Sequence, residues 1–266
     1  MKRLLTGILA ATAWVFLLLA GPIPLFNLAV AGLTALALAE FLTMVLPETS
    51  LRLRLAVTLF GMLPLLGASS GRADLLLAGL MAALLCLLFL TVLGYASLDD
   101  PFALASRCGF GLLYIAASSA YLLLLATLPQ GRHWLLLLTT ITAASDTAAY
   151  YTGTLLGRHK LHPAISPGKT WEGFAGGLTG GLLAALVVAS FFLPETGPAG
   201  IGLLAILIGC VGALGDLVES VVKRAFGIKD SGCILPGHGG LLDRIDSLLL
   251  AAPVLYYLLS FMIPSW

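Results

Sequence analysis

Charge is what this chain has least of: Asp, Glu, Lys and Arg number 27 among 266 residues, or 10%. Soluble domains carry about a quarter, so a water-facing globular surface is excluded. Cysteine is scarce too. Cys86, Cys108, Cys210 and Cys233 lack the pair spacing of a disulfide framework or a zinc ribbon. Cys86 and Cys210 lie in apolar runs, where cysteine acts as a small buried hydrophobe. There is no basic block and no interleaving of stacking aromatics, which argues against nucleic acid as a partner. What the chain does hold is Leu, Ala and 30 glycines, with 59% hydrophobic residues and a mean hydropathy of +1.04. That composition belongs to membrane proteins whose helices approach closely through small residues.

A spanning helix needs about 20 mainly apolar residues. Runs of that kind cover 4–20, 25–46, 53–70, 74–96, 102–128, 133–156, 172–193, 199–218 and 245–263. Pro and Gly punctuate them, notably Pro22, Pro47, Pro101, Pro129 and Pro194. The expectation is an all-α polytopic integral membrane protein of about nine transmembrane helices, with no soluble domain. It forms one membrane domain, with N-terminal helices over 1–130 and catalytic helices over 131–266. Its longest polar stretches are the loops 157–171 and 219–244. Lys2-Arg3 ahead of an apolar run imitates a leader, but Gly21-Pro22-Ile23-Pro24 offers no good cleavage site, so the run reads as the first span. With the N-terminus in the cytoplasm, twelve Lys and Arg fall on the cytoplasmic side and only Arg72 and Arg132 opposite. Both polar loops are therefore expected in the cytoplasm.

Nine of the charged residues crowd between Asp216 and Asp246. Asp216, Glu219, Ser220 and Lys223 share one helical face as the eighth span emerges, and Asp243, Asp246 and Ser247 share another as the ninth begins. Two acidic faces at a membrane surface suit a hard divalent cation with positions open to phosphates. Lys223, Arg224, Lys229 and Arg244 supply positive charge for a polyphosphate. Gly237, Gly239 and Gly240 permit a phosphate-cradling turn, and His238 is placed to orient a phosphate. The bland alternative makes the basic residues ordinary interfacial charges and Asp243 and Asp246 helix-start residues. Asp146, well inside the sixth span, is a functional candidate because an ionisable group is costly at membrane depth. Gly168-Lys169-Thr170 fails as a P-loop, since position 163 is Pro. Ser166 is instead expected to cap a helix with Pro167 as its first residue, leaving Lys169 near an anion. His159 and His162 have no third zinc-type ligand nearby.

Read in order, Ser220-x-Val222-Lys223-Arg224, Lys229-Asp230-x-Gly232 and Leu235-Pro236-x-His238-Gly239-Gly240-x-x-Asp243-Arg244-x-Asp246 resemble the phosphatidate cytidylyltransferase signature. Ser145-Asp146-Thr147 and Ile165-Ser166-Pro167-x-Lys169-Thr170-Trp171-Glu172-Gly173 are similar to segments of the same family. The matches run from about 146 to 246, and the first five spans share only their hydrophobicity. The resemblance implies a membrane enzyme that makes CDP-diacylglycerol and pyrophosphate from CTP and phosphatidate. It also implies Mg²⁺, with room for a second metal ion, and a place in a bacterial inner (cytoplasmic) membrane. On this reading Asp216, Asp243, Asp246 and Asp146 are the metal ligands, and Asp243, Asp246, Lys223 and Arg244 are catalytic. Arg224, Lys229, His238, Gly239, Ser166 and Lys169 contact substrate. A homodimer is an allowed assembly. The competing readings are a CTP-dependent polyprenol or phytol-type lipid kinase, which would leave CDP, a secondary transporter coupled through Asp146, and a phosphatidate-binding scaffold. No convincing internal repeat supports the transporter.

Overall fold

The computed structural model describes residues 2–232 and 239–262. These form nine helices and one small hairpin: α1 Lys2–Ala20, α2 Ile23–Val45, α3 Leu51–Ala68, α4 Ala73–Gly94, α5 Pro101–Thr127, α6 Gly131–Leu156, β1 Lys160–His162, β2 Ser166–Thr170, α7 Trp171–Phe192, α8 Pro198–Ala225 and α9 Leu242–Met262. Pro begins α5 and α8 just after a non-helical cap residue, where its missing N–H costs no helical hydrogen bond. α3 is interrupted at Gly61, and α5 contains a π-helical stretch, Leu112–Ala117.

Among the described residues seven helices are long and apolar enough to cross a membrane. The two others of the expected nine are α1, which enters only through Ala11–Ala20, and α6. α6 has the length, at 26 residues, but Thr139, Thr140, Thr142, Ser145, Asp146 and Thr147 dilute its apolar character. Large side chains such as Leu85, Phe89, Val92, Phe102 and Phe191 point outward and exposed. Apolar side chains of that size, left exposed along helices of spanning length, have no place in water. The chain is an integral membrane protein.

The helices divide into two compact units. One comprises the chain up to Pro129 together with Asp230–Arg244. Its core is α2 against α3 and α5, with α4 packed on α3 and α5, and it is filled by Leu38, Phe41, Leu42, Leu112 and Ile115. The other comprises Gln130–Lys229 and the remainder of α9 from Ile245. There α6 lies along α7, whose buried stripe is Gly173, Gly177, Gly181, Ala185 and Ala189, four residues apart. A Cβ on Gly177 would stand 3.0 Å from both the Ala149 Cβ and the Ser145 carbonyl oxygen. Small residues at that spacing let the two backbones meet closely in a membrane.

One expectation is corrected. Ser166 does not cap α7. Residues 166–170 form a strand antiparallel to 160–162, pairing Lys160 with Thr170 and His162 with Ser166. The cap is Thr170, whose Oγ1 accepts from Gly173 N at 3.0 Å. The 157–171 loop is thus an ordered hairpin, held at its entry by Glu172, which accepts from Arg158 N at 3.1 Å and His159 N at 3.2 Å. The eighth helix also runs past residue 218 to Ala225. It stops at Gly227, whose φ of 69° ends the helix in a Schellman turn: Ile228 N donates to Lys223 O and Gly227 N to Arg224 O. The apolar run stops at 218, whereas the helix carries the expected Asp216–Lys223 face on to Ala225.

Candidate active site

Because α8 continues, Asp216, Glu219 and Lys223 stay on one helical face. Glu219 is 1% exposed and Lys223 9%, and their Oε2 and Nζ lie 3.3 Å apart. Asp246, from α9, is 7% exposed and lies close enough to Asp216, Glu219 and Lys223 to interact with each of them. Gly215 makes this approach possible: a Cβ there would stand 2.5 Å from the Asp246 carbonyl oxygen. Buried carboxyl groups so close repel when both are ionised, and a neighbouring cation relieves that repulsion.

The same unit holds a cavity of about 590 Å³, lined by Asp146 and Tyr150 of α6, Lys160, Ser166 and Lys169 of the hairpin, and Asp216 of α8. Inside it Lys169 Nζ sits 2.6 Å from Asp216 Oδ2. The hairpin thus carries two lysines to a wall that already bears two aspartates. Asp146, read from the sequence as an acid at membrane depth, faces this cavity and is exposed there.

Asp243 belongs to the other unit and is differently engaged. Its Oδ2 accepts from Ser231 N at 3.1 Å, Ser231 Oγ at 3.0 Å and Gly240 N at 3.3 Å. One oxygen of this expected metal ligand is therefore committed to closing the segment around 231–240. Gly239 adopts a φ of 81°, a conformation that favours glycine. Arg244 is exposed on the first turn of α9. Among the described residues no group of three or more His, Cys, Asp or Glu is placed to hold a metal ion by itself.

The cytidylyltransferase family profile matches residues 1–262. The chain belongs to the cytidylyltransferase family. Among its relatives, the phosphatidate cytidylyltransferase of Bacillus subtilis is 36% identical over 265 residues, 97% of either chain. That of Staphylococcus haemolyticus is 37% identical over 268 residues, 97% of this chain and 98% of its own. That of Staphylococcus saprophyticus is 42% identical over 197 residues, 72% of each. The match reaches well beyond the signature, into the first five helices.

Within this member of the family the remaining motif residues separate by role. Arg224 donates through Nε to Ile165 O at 3.2 Å and through a terminal nitrogen to Ile228 O at 3.0 Å. It tethers the hairpin to the turn after α8, and so shapes the cavity rim. Lys229 is exposed just beyond that turn. His238 lies outside the described residues, as does Cys233. Cys86, Cys108 and Cys210 are free thiols. Lys160 is a cavity residue that the sequence does not single out, and Glu219 is marked there only as part of a helical face. Glu219 was legible as a member of the Asp216 face, whereas Lys160 needs the hairpin.

Proposed function

We propose that the cavity around Lys169 and Asp216 is where this membrane enzyme transfers a cytidylyl group from CTP to phosphatidate. The reaction is that of a phosphatidate cytidylyltransferase. The observation that carries the site is the 2.6 Å Lys169–Asp216 pair beside the buried Lys223–Glu219–Asp246 group. A phosphate oxygen of phosphatidate attacks the α-phosphorus of CTP. The new P–O bond forms as the bond between the α-phosphorus and its bridging oxygen breaks, and the electron pair leaves with pyrophosphate. No covalent protein intermediate is needed, so catalysis rests on positioning and on charge stabilisation.

Lys169 and Lys160 reach the triphosphate from the hairpin, and Lys223 meets charge that develops deeper in the cluster. Asp216 is released from Lys169 as phosphate takes its place. Mg²⁺ fits this donor set: it commonly takes one or two carboxylates and completes its sphere with substrate phosphates and water. Asp216 and Asp246 would hold it, with Asp146 lining the same cavity. When bound, the ion neutralises charge on the departing pyrophosphate. Asp243 and Arg244 act at the start of α9, the former by fixing the adjoining loop. Twelve of the fourteen Lys and Arg on one side support a cytoplasmic placement of the N-terminus, the hairpin and the 226–241 segment, in a bacterial inner membrane. CTP reaches the site from that side while phosphatidate stays in the bilayer. A homodimer is compatible with this reading.

Purified protein in detergent with phosphatidate, labelled CTP and Mg²⁺ is expected to form labelled lipid. Asp246→Asn should abolish that product while the protein keeps its helical content and its gel-filtration profile. Labelled lipid at an undiminished rate from the variant contradicts the assignment.

A further inference from the structure

α2 carries one ionisable residue, Glu40, in an otherwise apolar span of 23 residues. It is 5% exposed. A carboxylate so placed is costly unless it does something specific. Its Oε2 accepts from Leu242 N at 3.0 Å, across 202 residues of sequence. Leu242 is the first residue of α9, so this is one of the N–H groups a helix start leaves without a helical acceptor. An anion is also favoured there by the helix dipole.

The same carboxylate also lies against Gly232. A Cβ on Gly232 would stand 2.6 Å from Glu40 Oε1 and 2.8 Å from its Cδ, so only a glycine lets the backbone lie against the acid. Asp243, the next residue after Leu242, ties Ser231 and Gly240 together through its Oδ2. Gly240 is equally confined, since a Cβ there would come within 2.8 Å of Gly232 N. Residues 231–232 and 239–243 thus close on one point, and Glu40 fixes that point to α2.

We infer that Glu40 is a positioning residue for the reaction: it binds Leu242 N, packs against Gly232, and so sets where α9 begins and where Asp243 and Arg244 stand. It touches no substrate. The inference rests on the proposed cytidylyl transfer for its kinetic consequence, but the anchoring itself is measurable without substrate.

Three variants test it: Glu40→Ala, Glu40→Gln and Gly232→Ala. Glu40→Ala should lower kcat about 10- to 100-fold, the usual scale for losing the support of an active-site group, while KM for CTP changes little. Glu40→Gln keeps an acceptor for Leu242 and should stay within about fivefold of wild type, the scale of losing one charge at a helix N-terminus. Gly232→Ala should damage the wild type more than it damages Glu40→Ala, because the acid it strikes is then gone. Hydrogen–deuterium exchange in detergent should show faster exchange over 239–244 in Glu40→Ala, with helical content unchanged. Wild-type kcat in Glu40→Ala, equal damage from Ala and Gln, additive effects with Gly232→Ala, or unchanged exchange over 239–244 would each overturn the inference. If the wild type forms no CDP-lipid, the proposed function fails, and exchange still decides the anchor.

Discussion

At the scale of single residues, the candidate site is an arrangement of acids and lysines that satisfy one another, and on the proposed reading a polyphosphate would take over the lysines. Lys169 is the movable member, since it is half-buried and held by one 2.6 Å contact to Asp216. Lys169→Ala should lower kcat/KM for CTP on the order of 10²-fold, the scale of removing one charge-stabilising donor. Measured initial rates across CTP concentration check this, and an unchanged kcat/KM would remove Lys169 from the site. Asp216 and Asp246 were legible in the sequence because acids at span ends are not required by the rule that places basic residues inside. The role of Asp243 was not. Its spacing from Asp246 marks a shared face, but only the folded chain shows its Oδ2 taken by Ser231 and Gly240. Glu40 was silent for the same reason: its partner Leu242 is 202 residues away, and no local pattern carries such a contact.

At the scale of elements, most helices follow from apolar runs bounded by Pro and Gly, and their limits agree with the sequence within a few residues. The hairpin is the exception. Its strands read Lys-Leu-His and Ser-Pro-Gly-Lys-Thr, with neither alternation nor β-branched runs to announce them. Ser166-Pro167 imitates a helix start, yet pairing with 160–162 wins and moves the cap to Thr170. Two substitutions separate these alternatives. Thr170→Ala should destabilise the protein by about 1 kcal/mol, as for loss of an N-cap, and Ser166→Ala should leave stability unchanged. Thermal unfolding in detergent reads both, and the reverse ranking would contradict the observed cap. The apolar run of α8 stops at 218, and the spacing of Asp216, Glu219, Ser220 and Lys223 predicts that helix goes on beyond it. Glu219 and Lys223 neutralise each other within the helix, so it continues to the Gly227 turn.

At the scale of the whole molecule, the proposed cytoplasmic placement of the hairpin would join the topology to the reaction. In a chain with its native cysteines replaced by Ser, Arg158→Cys should react with a membrane-impermeant maleimide in inverted vesicles and not in intact cells or right-side-out vesicles. Labelling from the outer side would overturn the orientation. The most direct test of the central claim follows the phosphates of CTP. With CTP labelled at the α-phosphate the label should enter the lipid, and with CTP labelled at the γ-phosphate it should leave as pyrophosphate. γ-Label in the lipid with CDP released would show a kinase and contradict cytidylyl transfer.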